Sequence, residues 1–259
     1  MMSYLQSSYP LIAKRAIAKQ TYDFTIHCPE IAIQSRAGQF VHIRVPGHTL
    51  RRPISICGID AAKGNIRIVF EVRGSGTDEM AKFNVGDQVD ILGPLGNGFT
   101  LLGSDKKALV VGGGIGVPPM VEVAKHYGEN ATAVIGFRSA SAVILEEDFT
   151  AMGCDVRLCT DDGTRGHKGF VTDMVRQRLS EGAADIIYAC GPTPMLKAVA
   201  EVAKEYGVRC QVSLEERMGC GIGACLVCAC KIAAEKGEAM KHVCKDGPVF
   251  EAETVIFDK

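Results

Sequence analysis

The sequence predicts a multidomain β plus α/β protein: an antiparallel β-barrel, then a doubly wound parallel sheet, then a small cysteine-rich C-terminal domain. Three observations predict it. Up to about Leu102, short β-branched runs are broken by turn residues; from Lys106 to about Cys210, strands alternate with helical stretches; beyond Glu215, cysteines and glycines crowd together. These changes of rhythm set the expected domains at 1–103, 104–213 and 214–259. A chain of 259 residues with 47% hydrophobic content has material for more than one core.

In the first domain, Phe40 to Val45, Ile66 to Val72 and Gln88 to Leu92 read as strands of an antiparallel barrel. The segment Arg51-Arg52-Pro53-Ile54-Ser55 lies between the first two. Pro53 biases Arg52 toward an extended conformation, which offers its guanidinium and the Ser55 hydroxyl together to a phosphate or a flavin edge. Arg73-Gly-Ser-Gly-Thr77 follows. Its glycines let backbone N–H groups approach a pyrophosphate, and a helix starting near Thr77 would favour an anion. Taken alone each segment is weak, because glycines between strands usually mark a hairpin turn.

In the second domain, Ala108 to Val111, Ala131 to Phe137, Asp155 to Thr160, Asp185 to Ala189 and Val208 to Val212 read as strands. Helices are expected over 118–126, 169–179 and 194–206. Between the first strand and helix lies Gly112-Gly113-Gly114-Ile115-Gly116-Val117-Pro118-Pro119, a glycine turn where a dinucleotide pyrophosphate meets N–H donors, so Gly113, Gly114 and Gly116 are candidates. It departs from G-x-G-x-x-G at the third glycine, and it lacks the Gly-Lys-Ser/Thr ending of a nucleoside triphosphate loop. Later, Cys190, Gly191 and Pro192 end another strand at the edge where open sheets bind ligands. No His neighbours Cys190 in sequence, so it reads as a small residue beside a cofactor ring rather than a nucleophile.

In the third domain, Cys220, Cys225 and Cys228 stand at C-x4-C-x2-C spacing, with Cys244 downstream. This is the spacing of plant-type [2Fe-2S] proteins, and it points to electron transfer. Gly219, Gly221 and Gly223 suit a loop that wraps a cluster closely, since they reach positive φ without penalty. Zinc is the rival metal, but Cys220 and Cys244 are too far apart in sequence to form a second knuckle beside Cys225 and Cys228. Cys230 lies two residues past Cys228, and spacing alone leaves it as an alternative ligand. Cys28, Cys57, Cys154, Cys159 and Cys210 sit among apolar residues and read as small buried hydrophobes. The first nineteen residues lack the basic and apolar pattern of a signal peptide, so the cytoplasm is the expected compartment. No apolar run approaches the roughly 20 residues of a membrane span. A net charge of -1 gives no general attraction to nucleic acid or anionic lipid.

Together, Arg-Pro-x-Ser, Gly-x-Gly-Thr, Gly-Gly-Gly-x-Gly-x-Pro-Pro and Cys-Gly-Pro-x-x-Met resemble the ferredoxin reductase superfamily. Leu92 to Phe99, Cys190 to Lys197, Glu215 to Cys225 and Cys244 to Phe250 narrow this to the electron-transfer subunits of dihydroorotate dehydrogenase B, which the chain resembles over nearly its whole length. The resemblance implies a FAD-binding barrel, a sheet domain that binds NAD and a [2Fe-2S] domain. It implies FAD contacts from Arg52, Pro53, Ile54 and Ser55, from Val69, Phe70 and Glu71, and from Gly76 and Thr77. Glu71 departs from the basic residue often found there, which leaves its backbone as the contact. The resemblance also implies a partner, an FMN-containing catalytic subunit that oxidises dihydroorotate, in a heterotetramer of two copies of each chain. Electrons would pass through the cluster and FAD to NAD+ in pyrimidine biosynthesis. Such a hydride step requires no acid or base, so no catalytic side chain is expected, and His42, His48 and His167 are assigned to structure or surface. Arg138-Ser139 leaves NADP as an alternative to NAD. The competing reading is a similar subunit of a transhydrogenase, hydrogenase or glutamate synthase. A further one is a redox-sensing protein that merely holds a cluster, against which the flavin and nucleotide segments argue.

Overall fold

The computed structural model describes residues 4–182, 184–235 and 237–257; residues 1–3 and 258–259, which fall within the expected outer domains, lie outside it, as do 183 and 236. The first part is a closed six-stranded barrel of β1 (Leu5–Ala18), β2 (Thr21–His27), β3 (Phe40–Ile43), β4 (Arg52–Asp60), β5 (Asn65–Glu71) and β6 (Gln88–Leu95). Two short helices, α1 (Pro29–Gln34) and α2 (Ser75–Met80), lie between strands. Strand order is β1-β2-β5-β4-β3-β6, every pairing antiparallel. Period-2 alternation builds its core. In β6, Val89, Ile91 and Leu95 are buried while Gln88, Asp90 and Leu92 are not. The interior is filled by Leu11, Phe24, Ile26, Val41, Ile43, Ile66, Ile68 and Phe70.

Strand β3 breaks the alternation, being buried at all four positions. Val41 and Ile43 enter the barrel core. Phe40 points the other way and packs against Cys228, Val243 and Cys244 of the third part. The third part therefore covers the outer face of this strand.

The second part is a sheet of β7 (Ala108–Gly113), β8 (Ala131–Phe137), β9 (Asp155–Thr160), β10 (His167–Lys168), β11 (Ile186–Cys190) and β12 (Arg209–Ser213). Helices α3 (Met120–Tyr127), α4 (Glu146–Ala151), α5 (Val171–Ser180) and α6 (Thr193–Tyr206) cover it. Val123, Ala124 and Phe149 lie in the core on one face; Val175, Leu196 and Val199 lie in the core on the other. The strands run parallel in the order β10-β9-β8-β7-β11-β12, so the order reverses between β7 and β11. Open sheets bind ligands at such a switch point.

Past β12 the chain forms the cysteine loop and a hairpin of β13 (Ala229–Ala234) and β14 (Gly237–His242). It then returns to the sheet. Strand β15 (Val249–Glu251) pairs antiparallel with β12 and makes the sheet seven-stranded. The short apolar tail of the sequence is thus shared with the parallel sheet, and Val255 and Phe257 pack on its core. Among the described residues no helix is long and apolar enough to cross a membrane.

Candidate functional site

Arg52, Pro53 and Ile54 open β4 and line a cleft of about 620 Å³ between the barrel, the sheet and the third part. Thr77, Gly191 and Pro192 line the same space, so three separate motifs of the sequence converge there. Arg52 is held on two sides. Its Nη1 donates to the Leu50 carbonyl at 2.5 Å, and its Nη2 lies 3.1 Å from His48 Nδ1. A Cβ at Gly76 would collide with the guanidinium, so this arginine needs that glycine. His48, assigned on sequence to structure or surface, is thus a structural partner of Arg52.

Other expected residues stand differently. Ser55 is not on the cleft wall; it pairs with Phe40 in the barrel ladder. Val69 and Phe70 have their side chains buried in apolar cores and are not on the cleft wall. Glu71 pairs with Arg73 at 2.7 Å. Thr77 does not start its helix, which begins at Ser75; its hydroxyl accepts from the Arg73 and Gly74 N–H groups and donates to the Gly74 carbonyl. The sequence reading missed Leu50, Arg51, Thr193 and the run Glu215 to Met218, all on the cleft wall. A run directly before the cysteine loop, where that loop folds back on the barrel, was the available signal.

The glycine turn and the Cys190 turn meet at the switch point, where Gly112 pairs with Cys190. A Cβ at Gly116 would strike the Cys190 carbonyl, and one at Gly113 would lie 2.5 Å from Met195 Sδ. The helix expected from Pro118 begins instead at Met120. Pro118 and Pro119 carry no N–H, and the Val117, Met120 and Val121 N–H groups are already donated to Gly114, Val117 and Pro118. Donors for a pyrophosphate thus belong to the glycine turn rather than to the helix start. Burial pushes the Cys190 thiol up to about 12, so it is not a nucleophile at neutral pH.

The four expected cluster ligands fall into two pairs. Cys220 shares a hydrogen bond with Cys225, and Cys228 with Cys244. The loop between them turns its backbone inward: N–H groups of Ile222, Ala224 and Cys225 lie 3.2–3.4 Å from Cys220 Sγ, and Gly223 N lies 3.1 Å from Cys244 Sγ. Gly221 and Gly223 take positive φ, whereas Gly219 does not and packs on Cys225. Burial raises the Cys220 thiol, but the N–H donors from Ile222, Cys225 and Ala224 outweigh it and bring the group down to about 6. Burial and the Cys228 thiol push Cys244 up to about 12. Among the described residues no three His, Cys, Asp or Glu side chains gather round a single point. Two pairs suit two irons with two protein sulfurs each; a tetrahedral zinc site needs one foursome. Cys230 lies in β13 outside both pairs, and burial pushes its thiol up to about 11.

His42, on the outer face of β3, is fully buried between the cleft strand and this loop. Burial and the Arg51 charge lower its pKa to about 4, so the ring is neutral.

Three family models match successive parts of the chain: an oxidoreductase FAD-binding domain over residues 8–99, an oxidoreductase NAD-binding domain over 110–201, and the iron-sulfur cluster binding domain of dihydroorotate dehydrogenase B over 215–256. The dihydroorotate dehydrogenase B (NAD(+)) electron transfer subunit of Geobacillus kaustophilus is 45% identical over 252 residues, covering 94% of this chain and 96% of its own. The same subunit of Caldanaerobacter subterraneus is 41% identical, with 95% and 97% covered. Among solved structures, one of the NADH-dependent reduced ferredoxin-NADP oxidoreductase superposes with a TM-score of 0.87 at 33% identity, covering 97% of this chain and 91% of that one. The ferredoxin reductase of carbazole 1,9a-dioxygenase shares the fold, with a TM-score of 0.69 at 20% identity over 80% and 67% of the two chains.

Proposed function

The chain belongs to the electron-transfer subunits of dihydroorotate dehydrogenase B, oxidoreductase components that bind FAD, NAD and an iron–sulfur cluster, and from that premise we propose which residues do the work and with what partner. Arg52, Pro53, Ile54 and Thr77, with the backbone of Val69, Phe70, Glu71 and Gly76, hold FAD; Ser55 supports them from the adjoining ladder. Gly113, Gly114 and Gly116 with Cys190, Gly191 and Pro192 hold the nicotinamide nucleotide. Cys220, Cys225, Cys228 and Cys244 ligate a [2Fe-2S] cluster. The observation that carries this reading is the convergence of the barrel, the Cys190 turn and the segment before the cysteine loop on one cleft.

When bound, the flavin exchanges a hydride with the nicotinamide and single electrons with the cluster. Residues of this chain orient those groups and keep them apart from bulk water; no side-chain acid or base is required. The partner is a catalytic subunit carrying FMN, two copies of each chain forming the assembly. Eleven cysteines, none in a disulfide among the described residues, fit a reducing, cytoplasmic compartment. Ile222, Leu226 and Val227 are exposed on the cysteine loop, an apolar tip suited to that partner.

The test uses the full chain with its cofactors. Alone it reduces an artificial dye with NADH and does not oxidise dihydroorotate; mixed with the catalytic subunit it supports dihydroorotate-dependent NAD+ reduction. Ile222→Glu keeps the cluster and the dye reaction but loses the coupled one. A coupled rate equal to that of the unmodified chain would place the partner elsewhere.

A further inference from the structure

His42 stands where the flavin strand and the cysteine loop meet. Its ladder partners are Pro53 of β4 and Leu92 of β6. Paired residues of an antiparallel ladder point to one face, so His42 shares the outer barrel face with Pro53, which lines the cleft. On its other side it meets Gly221. A Cβ there would fall 2.6 Å from His42 Nδ1 and 3.2 Å from Cε1, so the loop residue next to Cys220 must lack a side chain for the ring to fit.

Both ring nitrogens are enclosed without a hydrogen-bond partner. The backbone of Cys220 and of Arg51 lies near the ring, outside hydrogen-bonding geometry. A buried imidazole always has one N–H to place, and burying it unpaired is costly, whereas Phe or Leu would fill the same space without that cost. The acceptor that the protein itself does not place in hydrogen-bonding geometry can come with what the loop holds.

We propose that His42 is a positioning residue of the electron relay, its ring N–H donating a hydrogen bond to a sulfur of the cluster that begins at Cys220. This rests on the ligand assignment made above. Hydrogen bonds to cluster sulfurs stabilise the reduced, more negative state and so raise its potential. His42 thus favours passage of electrons between the flavin strand and the loop.

The experiment compares His42→Phe, which keeps bulk but has no donor, with His42→Gln, which keeps one. An EPR-monitored redox titration of the full chain should show a more negative cluster potential in His42→Phe, with the flavin potential unmoved and part of the shift returned in His42→Gln. In stopped flow, NADH should reduce the flavin of His42→Phe at the unmodified rate while cluster reduction slows about tenfold, the scale of losing a group that tunes a metal site. An unmoved cluster potential, or a shift confined to the flavin, overturns the proposal. If His42→Phe does not hold its cluster, the test passes to the chain with native His42, isotope-labelled histidine rings and His242→Asn, which removes the other ring near the loop. A hyperfine coupling between the reduced cluster and the labelled nitrogen supports the hydrogen bond, and its absence overturns it. Iron loss in Cys225→Ser checks the ligand assignment separately; a full cluster there would overturn both.

Discussion

Cys220 and Cys244 are chemically unlike before any metal arrives. Three N–H groups surround Cys220 Sγ, while Cys244 shares its proton with Cys228 in an apolar pocket beside Phe40. The thiolate is the nucleophile. In cluster-free protein near neutral pH, iodoacetamide should therefore alkylate Cys220 well ahead of Cys244. The sign follows from the depressed group: its thiolate is present at neutral pH and is lost as pH falls through about 6, so the Cys220 rate should fall there too. Peptide mass mapping against pH checks it, and equal labelling of the two cysteines would refute it. Arg52 is the other residue whose removal has a defined result. Losing a charge-assisted contact costs about 1.5–3 kcal/mol, so Arg52→Ala should lose flavin on dialysis where the unmodified chain retains it; unchanged flavin content would count against the assignment. Both residues were legible in the sequence, one from cysteine spacing and the other from the proline after it. His48 was not, because its contact with Arg52 depends on the turn before β4, and Glu215 to Met218 were not, because they reach the cleft only where the chain folds back on the barrel.

At the scale of elements, hydrophobic periodicity placed β3, β5 to β9, β11, β12, α3, α5 and α6 to within a few residues, and it was least informative where packing crosses domain lines. Strand β3 is buried on both faces because the third part lies on it, a burial that the polar His42 on its outer face hides in sequence. Strand β15 is too short to stand out, and its pairing with β12 joins residues almost forty apart in sequence. The start of α3 was misplaced for a local reason: Pro118 and Pro119 suit a first helical turn, yet the chain uses them in a tighter turn before Met120. That turn defines a test of the nucleotide site. A methyl on Gly116 would strike the Cys190 backbone, which has no flexible end to yield. Gly116→Ala should therefore spread the two loops at the switch point and raise the KM for NADH about tenfold or more, the penalty of roughly 1–3 kcal/mol expected of overpacking. FAD and iron content should stay as in the unmodified chain, since the backbone that the methyl would strike, Cys190 and Gly191, belongs to neither the Arg52 segment nor the cysteine loop. An unaltered KM would remove the glycine turn from the nucleotide site.

At the scale of the whole molecule, function depends on holding barrel and sheet at one angle, because FAD belongs to one and the nicotinamide to the other. Reacting atoms must come within roughly 3–3.5 Å, and a misplacement of about 1 Å can cost a hundredfold in rate. A polar seam, beside apolar packing of Cys57 and Val69 on the core of the sheet domain, fixes the angle. Arg67 of the barrel bonds the buried Asp23 on its own side and Asp148 of α4 across the seam. Beside it, Glu122 accepts from the Ile59 N–H at 3.0 Å and Lys125 donates to the Ile59 carbonyl at 2.9 Å. The hydroxyls of Tyr127 and Tyr188, 2.7 Å apart, hold the connection at Thr100 and Leu102. Asp148 is the member to remove, because Arg67 then keeps Asp23 and the barrel stays intact. A half-exposed ion pair of this kind contributes about 1 kcal/mol to stability, too little to unfold the chain but enough to let the seam loosen. Asp148→Ala should retain FAD, iron and the KM for NADH, since every binding segment is untouched, while flavin reduction at saturating NADH slows about tenfold. Asp148→Asn, which still accepts one hydrogen bond from Arg67, should fall between. Stopped-flow traces at the flavin absorbance decide it: a rate equal to that of the unmodified chain would mean that the remaining Ile59 and tyrosine contacts set the angle by themselves.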